Sequence, residues 1–213
     1  RPVYETEFRA EGIGHFKSKV DAVTGDVLSR RNLFRPITAS VETSGKAYFN
    51  PIDEESEVIF SGLAVPVGDT VYYTDREGKI DIELDEPLPI EIPIESKHCR
   101  VRFPDGTRNS LTTLKDTLED GINYIRLDDS TTNCYERFAI YHIEHLYNFM
   151  LELDPDLTCL ENKMTVEFHE EVGMYGVNAY SNADTIAFVG YLDRSRNNFA
   201  NSASVLYHEY GHS

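Results

Sequence analysis

Ala203-Ser-Val-Leu-Tyr207-His208-Glu209-Tyr210-Gly211-His212-Ser213 sets two histidines four residues apart, with a glutamate directly after the first. Residues i and i+4 lie on one face of a helix. Wound as a helix, the stretch offers two imidazoles to a single metal ion and places the Glu209 carboxylate beside them, where it can take up a proton. Val205 and Leu206 lie just upstream. Their apolar side chains bury a helix against a core, which argues against a surface helix end that carries His and Glu only for solubility. Residues 199–212 are therefore predicted to be helical.

Upstream of this helix the pattern alternates between helix and strand. Residues 135–153 show Phe138, Tyr141-His142, His145-Leu146 and Phe149-Met150 recurring at helical spacing, and Asp154-Pro155 stops the run. Residues 164–168, 176–180 and 185–189 read as strands. In Asn178-Ala-Tyr-Ser-Asn182 two readings stay open. One is a sheet edge that binds an extended peptide through its backbone, and the other is an ordinary hairpin.

Residues 34–104 carry short alternating segments around Val41, Ala47-Tyr-Phe, Val58-Ile-Phe, Thr70–Thr74, Lys79–Leu84 and Ile90–Ile94, punctuated by Gly and Pro. This spacing predicts a small β-sandwich module. A linker is expected near Pro104-Asp105-Gly106. Residues 1–33 read as a β-hairpin, with turn chemistry in Asp21-Ala-Val-Thr-Gly25. The division expected is thus 1–33, 34–104 and 105–213, in an α+β chain.

A formal net charge of −17 argues against nucleic acid as a partner, because phosphates need Lys and Arg, and against anionic membranes. No apolar run reaches the roughly 20 residues of a membrane span. The chain starts at Arg1 without a signal peptide and ends at Ser213, so it is expected to be an internal piece of a longer precursor. Cys99, Cys134 and Cys159 leave three readings open: a disulfide plus one thiol, a partner outside this chain, or unpaired small buried residues.

Other candidate chemistry is weaker. His142 and His145 sit in a stretch of Tyr, Phe and Leu and are expected to pack on or beside the helix face. His169-Glu170-Glu171 lacks a second histidine and reads as a polar strand end. His15 and His98 are isolated. The acidic run Asp53-Glu-Glu-Ser-Glu57 has no spaced calcium loop and reads as a solvated loop. Gly12-Ile13-Gly14 lacks the remainder of a phosphate loop.

HExxH is the wording in which two histidines hold Zn²⁺ and the glutamate acts as general base. The order of Asn-Ala-aromatic, hairpin, variable loop and apolar helix with HExxH resembles the thermolysin-like and fungalysin-like zinc metallopeptidases. The His-Glu-Tyr-Gly-His wording is closer to the fungalysin type. Asn178-Ala179-Tyr180 looks like the substrate-binding edge strand, residues 185–189 like the strand after it, and residues 135–150 like the long helix that opens the catalytic domain. Val20–Leu28 resembles the end of a propeptide.

The resemblance implies that residues 105–213 form the N-terminal half of the catalytic domain. It implies zinc ligands at His208 and His212, a general base at Glu209, and substrate-backbone contacts at Asn178 and Ala179. It further implies a peptide or protein substrate, a zymogen, and a secreted or cell-envelope setting. The family's third zinc ligand is a glutamate on a later helix, so the chain alone is expected to be inactive. Ser204 stands where thermolysin-type members have a calcium-binding aspartate, so no calcium site is expected. The rival expectation is a non-catalytic module, binding or inhibitory, with a degenerate HExxH helix.

Overall fold

A computed structural model describes residues 2–10, 14–33, 36–50, 53–104, 112–157, 162–169, 177–190, 199 and 202–212. The chain is mixed, mainly β-sheet, with two helices among the described residues, as an α+β chain requires. No helix of the described residues is long and apolar enough to cross a membrane.

Residues at the N-terminus form an antiparallel meander of β1 (Val3–Ala10), β2 (Gly14–Asp21) and β3 (Val27–Asn32). The expected hairpin is its second half. Asp21 builds the turn. Its Oδ1 accepts the backbone N–H of Val23 at 2.7 Å and of Thr24 at 3.0 Å, while Gly25 supplies the left-handed φ of +78°. These bonds satisfy the turn backbone locally, which is why Asp and Gly occupy those positions.

The next strand, β4 (Ile37–Ala47), is the longest at 11 residues and alternates buried and less buried positions. It pairs antiparallel with β5 (Ser56–Ile59) and β8 (Lys79–Leu84) and parallel with β12 (Gly121–Leu127). A two-stranded ribbon joins β6 (Ala64–Val67) to β7 (Thr70–Tyr73), and another joins β9 (Leu88–Pro93) to β11 (Thr113–Leu118). The last sheet runs β10 (Cys99–Arg102), β13 (Met164–His169), β15 (Thr185–Val189), β14 (Asn178–Asn182). Within it β10, β13 and β15 are parallel and β14 runs antiparallel at the edge.

Three of these pairings cross residue 104: β4 with β12, β9 with β11, and β10 with β13. One apolar cluster runs from Ala39 to Tyr210. The linker expected near Pro104-Asp105-Gly106 falls on residues 105–111, which lie outside the described residues. Residues 113–118 and 121–127 find their partners upstream, and that ties 34–104 to the C-terminal half of the chain.

Helix α1 (Cys134–Leu153) is set by its ends. Asn133 caps it: its side chain accepts the Tyr135 N–H at 2.8 Å, and Glu136 reaches back to the Asn133 N–H at 3.1 Å. This reciprocal capping box satisfies backbone donors that a helix start leaves open. Asp154, before Pro155, takes an extended φ of −142° and ends the helix.

Three charged side chains of α1 are fully or almost fully buried, and each has partners. Glu136 accepts both the N–H and the hydroxyl of Thr112 at 2.7 Å. Arg137 donates to the carbonyls of Lys46 and Thr132, both at 2.9 Å, and to Glu55 at 2.8 Å and Asp129 at 2.6 Å. Glu144 is paired with His98. Buried charges persist only when paired and hydrogen-bonded, and α1 is thereby tied to the chain on either side of it. The acidic run at 53–57 is correspondingly more than a solvated loop. Glu55 neutralises the Arg137 guanidinium, and Glu57 bonds Arg126 at 2.6 Å.

Candidate metal-binding site

The predicted C-terminal helix exists, but it is shorter than 199–212. Helix α2 spans Ala203–Tyr210, and Gly211 and His212 follow in a turn. Ser202 sits at the N-cap without a side-chain cap bond. At the other end the Gly211 N–H reaches the Tyr207 carbonyl at 3.1 Å, while the His212 N–H reaches Glu209 O at 3.1 Å. The second bond spans three residues, so the last turn tightens, as helix ends commonly do.

The helix is two-faced. Ala203, Leu206 and Tyr210 are buried, at the i, i+3, i+7 spacing of a core stripe. Ser204, His208 and His212 are exposed. Glu209 lies between these faces and is only 9% exposed. The helix packs on β14 and β15 and touches α1.

The two imidazoles are brought together. Nε2 of His208 and Nε2 of His212 are 3.1 Å apart, with the rings edge to face at 4.6 Å between centroids and 87° between planes. At that distance an N–H on one ring can meet the lone pair of the other. Two nitrogens each about 2.0–2.1 Å from a tetrahedral Zn²⁺ stand about 3.3 Å apart. The observed N–N spacing lies within a few tenths of an ångström of that value. Among the described residues, no group of three or more His, Cys, Asp and Glu side chains is placed to hold a metal ion.

Asn178 and Ala179 open β14. Asn178 is exposed, and Ala179 is partly buried and packs on the core. Their strand is bonded only through β15 among the described residues, and Tyr180 is 48% exposed on it.

His142 is excluded as a metal ligand by its bonds. Its Nε2 donates to the Tyr48 carbonyl at 2.8 Å, which fixes the neutral tautomer, and its Nδ1 accepts the Tyr207 hydroxyl at 2.8 Å. Burial pushes its pKa from 6.5 down to about 4, and burial pushes Tyr207 up to about 12. His145 is exposed and stacks on Tyr141 at 5.8 Å. Both therefore pack on or beside the helix face, as the sequence pattern predicts.

His98 had no role in the sequence pattern, yet it is buried against Glu144 and stacks on Tyr147 at 3.6 Å between ring centroids. The signal that could have found it is Glu144 itself, a carboxylate on the apolar face of α1. Cys99 is fully buried, and burial holds its thiol pKa well above the usual value. Cys159 lies outside the described residues, as do Glu170 and Glu171.

The chain matches no family model, no curated protein and no solved structure.

Proposed function

We propose that this chain carries the metal-binding helix of a zinc-dependent endopeptidase, related to the thermolysin-like and fungalysin-like enzymes. The observation that carries this reading is the 3.1 Å approach of the two exposed Nε2 atoms of His208 and His212. A second feature supports it. Glu209, which lies between them in sequence, is nearly buried, whereas a glutamate present for solubility would stand in water.

His208 and His212 would hold the ion as two of its protein ligands. When bound, Zn²⁺ supplies Lewis acidity: it polarises a carbonyl and makes water a nucleophile near neutral pH. Glu209 accepts the proton of the attacking water and returns it to the leaving nitrogen. Asn178 and Ala179, on the edge strand beside α2, offer backbone groups to an extended peptide. In this reading residues 105–213 contribute to a catalytic domain, residues 1–33 to the end of a propeptide, and the setting is secreted or cell-envelope.

The test is peptide hydrolysis by the full-length gene product. Glu209→Gln is expected to keep the zinc and lose activity by about 10²–10⁴-fold, the usual weight of a general base. Undiminished cleavage by that variant would rule out the assigned role.

A further inference from the structure

Three hydrogen bonds close a ring around the start of α2. The Ala203 N–H donates to the Phe49 carbonyl at 2.9 Å. One helical turn later, the Tyr207 hydroxyl donates to His142 Nδ1 at 2.8 Å. His142 Nε2 then donates to the carbonyl of Tyr48, the neighbour of Phe49, at 2.8 Å. The directions follow from the chemistry. A carbonyl only accepts, so Nε2 carries the hydrogen, and the other nitrogen of a neutral imidazole only accepts.

The ring has a mechanical consequence. Ala203 and Tyr207 are four apart and lie on one face of the helix. Two attachments on one face, a turn apart, fix the helix against rotation about its own axis. The helix is short, with eight residues, and its N-cap Ser202 makes no side-chain cap bond. His208 follows Tyr207 directly, about 100° further round. The Tyr207 carbonyl also accepts the Gly211 N–H that starts the turn bearing His212. His142 itself is fully buried and wedged among Phe49, Phe138 and Tyr141, with ring centroids 4.6–5.0 Å away.

We infer that His142 is a positioning residue for the His208/His212 pair: through Tyr207 it sets the rotation of α2 and so the direction in which the two imidazoles face. The inference rests on the reading of that pair as a metal site, and it adds a part that HExxH does not contain. It also explains why a tyrosine stands directly before the first histidine.

Two readouts on the native protein and its variants test it. One is cobalt(II) affinity, read by absorbance. The other is the nuclear Overhauser contact between the His208 and His212 rings in metal-free protein. Tyr207→Phe removes one hydroxyl and keeps the ring. It is expected to weaken cobalt binding about tenfold, the low end for residues that support metal ligands, and to weaken the ring–ring contact. His142→Gln keeps a donor towards Tyr48 and an acceptor towards Tyr207, and it is expected to retain both. Ile143→Val destabilises α1 without touching the ring of bonds, and it is expected to leave both readouts native.

Native readouts in Tyr207→Phe, or equal losses in Ile143→Val, would overturn the positioning role. The metal reading fails separately. A native protein that takes up no cobalt, with the ring–ring contact still lost in Tyr207→Phe, supports the lock and removes the metal.

Discussion

Glu144 grips His98 twice. Its Oε1 accepts the His98 backbone N–H at 2.9 Å, and its Oε2 faces Nδ1 of the same residue at 3.0 Å. The pair joins the middle of α1 to the start of β10. Gly62 makes room for it: a Cβ there would lie 2.6 Å from the Glu144 carboxyl, and its φ is +65°. Glu144→Ala is expected to cost about 3 kcal/mol, because two buried donors lose their acceptor. Gly62→Ala should cost about 1–3 kcal/mol through backbone strain. Urea denaturation measures both, and a loss below about 0.5 kcal/mol in either would show that the junction is not under this constraint.

Arg137 supplies a second ordering. Its guanidinium bonds two carbonyls and two carboxylates from a buried position. Arg137→Ala removes the donor that two carbonyls and two carboxylates share and is expected to cost about 3–5 kcal/mol. Glu55→Ala should cost less, since Asp129 still faces the same nitrogen. Arg137→Lys should resemble Arg137→Ala more than native, because an ammonium cannot reproduce the fork. Thermal melts of the three variants check this order.

Acid sensitivity arises at His142. Its pKa is about 4 in the folded chain against 6.5 ordinarily. As pH falls through 6.5 the unfolded chain takes up a proton that the folded chain refuses. Stability from this group is complete above that pH, declines between 6.5 and 4, and is lost below, by roughly 3 kcal/mol in all. The slope of stability against pH in this window should be shallower in His142→Gln. Equal slopes in the two proteins would mean that the ring is not buried neutral.

Local pattern carried the helices and part of the last sheet. Residues 185–189 match β15, and the periodicity over 135–153 matches α1 to within a residue, because Asn133 and Pro155 fix its ends chemically. The HExxH spacing likewise implied two imidazoles on one face, and they share one. The strands β11 and β12 escaped. In β12, Ile122 and Tyr124 face solvent at 58% and 68% exposure while Ile125 and Leu127 are buried, so apolar residues on both faces hide the period of two. Asp120-Gly121 looks like a hairpin turn, yet the strands on either side pair with β9 and β4 instead. Long-range contacts were equally invisible: His98 meets Glu144 across 46 positions and His142 meets Tyr207 across 65. No local pattern encodes such partners. A polar residue on an apolar helix face is the one hint of them.

At the centre stands the claim that His208 and His212 grip a single divalent cation. Zinc titration in competition with a chromophoric chelator tests it most directly, on the native chain, on His208→Ala, on His212→Ala and on the double variant. The prediction is one ion per chain, at least about tenfold weaker binding in each single variant, and none in the double. Zinc uptake by the double variant equal to native, or no uptake by the native chain at all, would contradict it.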